Sequence, residues 1–129
     1  MMTAAERVGT AMSHREPDRV PFFLGATMHG AKELGLPLPQ YLSRAEHVAA
    51  GQLRLLEKFR HDAVTGFAGA ALEIEPWGGE VLYHEDAPPN TGAPPLRKVE
   101  RISVLDTPRF EDSPALMRTL EAIGRLKRA

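Results

Sequence analysis

The stretch from Phe59 to Val81, FRHDAVTGFAGAALEIEPWGGEV, constrains this chain most. It opens at the end of a helical pattern, passes through the short apolar run Ala63–Phe67 and reaches Glu73 and Glu75. A Pro-Trp-Gly-Gly turn and a second apolar run, Val81–Tyr83, follow. A helix feeding a short apolar strand is the pattern of an α/β unit. An acidic pair just beyond such a strand lies where open α/β sheets and barrels keep their chemistry. Gly78-Gly79 then lets the backbone turn tightly or approach a neighbour closely.

The flanks extend this pattern. Thr3-Ala-Ala-Glu6 has the form of a capping box and predicts a helix to about Ser13, with Ala4, Val8, Ala11 and Met12 on its apolar side. Pro17 restricts Glu16 away from helical angles and ends that segment. Val20–Leu24 reads as a short buried strand, and the Gly-bearing loop from Gly25 to Leu36 has room for one or two helical turns. Pro37 and Pro39 predict an extended link. Ser43-Arg-Ala-Glu46 is a second capping box, and Ala45, Val48, Ala49, Gln52, Leu55, Leu56 and Phe59 follow at helical spacing.

After the central stretch, the segment 85–95 carries four prolines and one glycine, which predicts an exposed irregular loop. Arg97–Val104 alternates weakly, as in a short strand. Ser113 and Pro114 open a terminal helix over 113–128, with a stripe of Leu116, Met117, Leu120, Ile123 and Leu126. Alternation of helices and apolar runs in this order predicts an α/β fold with parallel strands, in one domain over 1–129.

Composition narrows the function. The formal charge of -1 supplies no basic face for nucleic acid or for a membrane surface. No apolar run approaches the roughly 20 residues of a membrane helix. The N-terminus has no apolar signal core, and the chain has no cysteine, so a cytoplasmic location is expected. Thiolate metal sites and thiol nucleophiles are excluded for the same reason. The five histidines show no metal-ligand spacing, so no metal site within this chain is expected.

Three residues stand out as substrate-binding candidates: Glu73, Glu75 and His29. On an extended segment Glu73 and Glu75 point to one side, and converging carboxylates raise one another's pKa for acid/base or cation-binding work. The plainer reading is a solvated loop with two exposed charges. His29 sits in the Gly-bearing loop after the first expected strand, placed to bind substrate or orient a carboxylate, although a lone histidine there is more often a surface residue. Trp77 either lines a pocket for a flat ligand or covers the core. No catalytic residue is assignable.

In their order, Arg15-Glu-Pro-Asp-Arg-Val-Pro21, Phe59-Arg-His-Asp62, Glu73-Ile-Glu75 with Gly78-Gly-Glu-Val81, and Asp106-Thr-Pro108 resemble the N-terminal part of the uroporphyrinogen decarboxylase superfamily. The resemblance implies a (β/α)₈ (TIM) barrel, which needs roughly 250 residues, so this chain would hold only its opening units and is too short to close a barrel alone. It also implies that Glu73, Glu75 and His29 share the active end, and that Asp62 and His61 lie at the opposite, stabilising end. The decarboxylases carry an arginine-rich signature after the first strand, where this chain reads Gly25-Ala-Thr-Met-His-Gly30. They carry an aspartate after the second strand, where Ala68 and Gly69 stand here.

The Glu-x-Glu-x-x-Gly-Gly pattern is more similar to the methylcobamide- and corrinoid-dependent methyltransferase branch, in which zinc ligands lie in the later half of the barrel. The resemblance therefore implies methyl transfer on a corrinoid or tetrapyrrole-type substrate, with zinc and corrinoid belonging to a longer relative and no cofactor bound by this chain. Two alternatives stand beside it. One is a non-catalytic truncated or split half-barrel that self-associates as a homo-oligomer or meets the remainder of a barrel. The other is a genuine decarboxylase of porphyrinogen carboxylates in haem biosynthesis.

Overall fold

The computed structural model describes residues 1–66 and 69–129. Phe67 and Ala68, which bear on the end of the second expected strand and on the missing aspartate, lie outside the described residues.

Helix α1 (Ala4–Met12) begins at the expected capping box: the Glu6 amide donates to Thr3 Oγ1 at 3.2 Å, and the Thr3 amide donates to Glu6 Oε2 at 2.8 Å. The face it packs is not the apolar one. Met12 is 78% exposed, whereas Arg7 is 4% exposed. A buried guanidinium needs an acceptor for each donor edge. Arg7 Nε donates to Asp18 Oδ1 and Nη1 to Asp62 Oδ1, both at 2.6 Å, while Nη2 donates to the Met2 carbonyl at 2.7 Å. Arg19 closes on Asp62 from the other side, at 2.7 and 2.9 Å.

This ionic centre ties two distant segments. The Phe22 amide donates to Asp62 Oδ2 at 2.8 Å and the Asp62 amide donates to the Phe22 carbonyl at 2.7 Å. One residue further, Phe23 and Ala63 form a parallel bridge. The expected strands from Val20 and Ala63 are thus reduced, among the described residues, to this one bridge. Phe22 and Phe23 are about half exposed, so no layer covers the strands and lengthens the ladder. The neighbouring His61 is buried, which pushes its imidazole below the ordinary value, and its Nδ1 has no partner among the described residues.

Four helices build the core: α2 (His29–Leu34), α3 (Leu38–Ser43), α4 (Ala45–Phe59) and α5 (Pro114–Arg128). Tyr41, Leu42, Val48 and Leu55 are buried on or between α3 and α4, and Ala115 and Ala122 of α5 are buried with them. Truncating a leucine so enclosed costs about 2–5 kcal/mol, so α4 is the anchor of the domain. α3 corrects the extended link expected from Pro37 and Pro39, because proline is tolerated within the first helical turn, where its missing N–H is not needed. The second capping box is also corrected. Ser43 closes α3 with its Oγ on the Gln40 carbonyl, and α4 starts after Arg44 without a side-chain cap.

Along α5 the expected apolar stripe is overturned in part. The small face of Ala115 and Ala122 packs inward, and Met117, Leu120 and Ile123 are 41–49% exposed. Gly66 marks the closest approach of the preceding segment to α5, because a Cβ there would lie 2.9 Å from the Ile123 amide nitrogen.

The only two-stranded sheet among the described residues is antiparallel: β1 (Val81–Leu82) pairs with β2 (Asn90–Thr91), with Val81 opposite Thr91. The proline-rich loop 85–95 therefore contains a short strand, made where Asn90 and Thr91 interrupt its two proline pairs. Segment 97–104 is not a strand, since Val99–Val104 winds into a 3₁₀-helix. The result is a helix-rich fold with little sheet, compatible with part of an α/β domain. No described helix is long and apolar enough to cross a membrane.

Substituting Asp62 by Asn leaves the buried Arg7 partly unpaired and is expected to lower the melting temperature by at least about 5 °C in a thermal melt. Arg7 holds the Asp18 carboxyl down at about 2, against 3.8 for the unperturbed group. The stability this gives is complete above pH 3.8 and lost as pH falls towards 2. Melts over that window are expected to show a smaller loss in Asp18→Asn than in the native chain.

Candidate functional site

The loop that follows the Phe23 bridge, residues 25–28, is set in place from beneath by two buried polar side chains. Gln52 of α4 donates through Nε2 to the Thr27 carbonyl at 3.1 Å. Tyr41 Oη lies 3.3 Å from the Thr27 carbonyl and 3.3 Å from that of Val48. Both side chains are fully buried, and burial raises the Tyr41 phenol above its ordinary value and keeps it a neutral donor. Buried amides and hydroxyls are tolerated because they satisfy carbonyls that the loop leaves unpaired.

Helix α2 reaches the same place by contact of backbones. Gly51 of α4 faces Gly30 of α2, and a Cβ on Gly51 would lie 2.7 Å from the Gly30 Cα. Two side chains cannot occupy that crossing, so the glycine pair brings α2 against α4 and carries His29 to the rim. Lys58 of α4 adds an ion pair with Glu33 of α2 at 2.7 Å.

Between the loop and the segment 85–88 lies a cavity of 340 Å³. Thr27, His29, Lys32, Leu36, Glu85 and Asp86 contribute to its wall, and no arginine does. The Leu38 amide holds the far wall by donating to the Glu85 carbonyl at 3.2 Å. The cavity therefore carries two acids, one lysine and one histidine on mostly apolar walls. Such a site binds through shape and apolar area, with few groups to fix orientation. Lys32, Glu85 and Asp86 escaped the sequence reading because only the fold brings residues 32 and 85 together.

Glu73 and Glu75 lie elsewhere. They occupy a 3₁₀-helix, Ala70–Trp77, and not the extended segment that was expected. At three residues per turn, positions two apart point about 120° away from each other, so the two carboxylates diverge. Glu75 turns to α5, where its Oε2 accepts from the Ala115 amide at 3.2 Å and from Ser113 Oγ at 3.3 Å. It joins Ser113 in capping that helix. Glu73 is exposed and borders a separate groove of 350 Å³ with Trp77 and Phe110. Trp77 is thus a groove residue, 38% exposed, rather than a cover for the core. Of the three candidates, only His29 faces the cavity.

Among the described residues no group of three or more His, Cys, Asp or Glu side chains is placed to hold a metal ion. A family model described as uroporphyrinogen decarboxylase (URO-D) matches residues 3–129. Neither a curated protein nor a solved structure matches the chain.

The two glutamates are expected to separate on mutation. Glu75→Ala removes a helix cap and is expected to cost about 0.5–2 kcal/mol in urea unfolding, while Glu73→Ala stays within about 0.5 kcal/mol. Gln52→Leu removes one of the two donors to the Thr27 carbonyl, leaving Tyr41 Oη, and is expected to cost about 0.5–1.5 kcal/mol in the same assay.

Proposed function

Since the chain belongs to the uroporphyrinogen decarboxylase family, we propose that it is the N-terminal segment of a family enzyme of the methyl-transfer type, acting on a corrinoid or other tetrapyrrole-type substrate. In this reading the Phe23–Ala63 bridge begins the parallel sheet of a (β/α)₈ barrel, and further strand-helix units supply the rest of the roughly 250 residues such a barrel needs.

The observation that carries the proposal is the charge of the cavity wall. A porphyrinogen with several carboxylates needs a cationic clamp, and arginine is the side chain suited to it. The loop Gly25–Gly30 has no arginine, and Lys32 and His29 are offset by Glu85 and Asp86. Mostly apolar walls favour the edge of a large macrocycle with less negative charge. His29 is then the group that meets a polar substituent of that edge. Zinc, which the methyltransferase branch uses, finds no ligand set among the described residues, and the chain has no cysteine. No step of the chemistry is therefore assigned to a metal held here.

A second reading has its own support. Val20 and Val99 are more than 80% exposed, and Ile102 and Val104 more than 60%. Val99, Ile102 and Val104 lie together on one short 3₁₀-helix, the kind of exposed apolar cluster that another chain covers in a half-barrel working through association.

Titration with methylcobalamin, followed by its visible absorption, is expected to give saturable binding that His29→Ala weakens by roughly tenfold. Uroporphyrin is expected to bind more weakly. Tighter binding of uroporphyrin would return the chain to the decarboxylases, and a defined dimer mass in light scattering with neither ligand bound would favour the second reading.

A further inference from the structure

The groove at Trp77 shares no wall residue with the His29 cavity. Its walls come from segments distant in sequence: the 3₁₀-helix Ala70–Trp77 brings Glu73, Pro76 and Trp77, the approach to α5 brings Thr107, Pro108 and Phe110, and α5 adds Leu116. Trp77 and Phe110 remain 38% and 43% exposed, so both rings are accessible to a ligand in the groove. Two aromatic rings left at one opening are costly to keep in water, which itself argues for an occupant.

The polar groups decide what kind of occupant. Pro76 and Pro108 have no amide hydrogen, and the side chains offered are the Glu73 carboxylate and the Thr107 hydroxyl. Glu73 has no hydrogen-bond or ion-pair partner among the described residues. The basic residue beside this wall, Arg109, is turned to Glu111 at 3.9 Å. An anion would meet an uncompensated carboxylate and no cation. A divalent metal ion would find one carboxylate where it needs about six oxygen ligands. An organic cation is favoured twice, by the charge of Glu73 and by the negative faces of the aromatic rings, of which tryptophan's is the strongest.

We propose that this groove binds an organic cation, a quaternary or methylated ammonium group held against Trp77 and Phe110 with Glu73 as its counter-charge. The site is separate from the His29 cavity and stands or falls independently of the corrinoid reading.

Trp77 is the only tryptophan of the chain, so its emission reports directly on the groove. Titration with tetramethylammonium chloride, against sodium chloride at equal concentration, is expected to change that emission along a saturable curve. tert-Butanol, of similar size and neutral, is expected to give no such curve. Glu73→Gln is expected to weaken the cation by on the order of tenfold, and Phe110→Ala by several-fold. Glu73 is exposed and unpaired, so the Gln variant tests the charge without threatening the fold. An equal response to tert-butanol, an unchanged affinity in Glu73→Gln, or the absence of any saturable response would each overturn the proposal.

Discussion

The ion cluster of Arg7, Asp18, Asp62 and Arg19 is the interaction on which the rest of the structure depends. A buried guanidinium is tolerated only when its donors are met, and here the carboxylates that meet them come from residues 18 and 62. The Phe22 amide, together with Arg19 and Arg7, holds the Asp62 carboxyl below its ordinary value and keeps it charged. The same carboxylate therefore pairs with two arginines, whose charge it balances together with Asp18, and aligns Phe22 with Asp62. The Phe23–Ala63 bridge follows directly from that alignment, and the loop 25–28 comes just beyond it.

The second constraint is the close crossing of α2 and α4. Gly30 and Gly51 remove two side chains, and Tyr41 and Gln52 fill the space around the gap with groups that bond carbonyls. Apolar residues of similar volume at 41 and 52 would pack the helices but leave the Thr27 carbonyl unpaired. The core thus does more than bury area: it fixes the backbone of the loop that walls the His29 cavity. A rigid scaffold holding a ligand-facing loop is the arrangement in which binding sites are usually found.

Much of the helical structure was legible in the residues. The Thr3 box, the α4 periodicity and the Ser113-Pro114 start are local signals, readable because each is satisfied within one or two turns. The misreadings share a cause. Arg7 drew no reading at all, because its partners lie 11 and 55 residues away. Glu73 and Glu75 looked like a convergent pair because spacing of two was read on an extended backbone, and the 3₁₀-helix sends them apart. The proline pairs at 88–89 and 94–95 hid the strand between them, since only pairing with Val81 and Leu82 makes it one. His29 does lie on the wall of a cavity, as its position after a strand suggested, because such a position is fixed locally.

By itself, the sequence determined the family, the helices α1, α4 and α5 and the absence of thiol chemistry, because these follow from local spacing, order and composition. Tertiary structure alone decided which charges are buried, which face of α5 packs and which acids share a wall. It assigned Glu75 to a helix cap and Glu73 to an aromatic groove, although the two are alike and two residues apart. The physical reason is that a carboxylate's role depends on its neighbours' distance and dielectric, and those are set by segments far away in the chain.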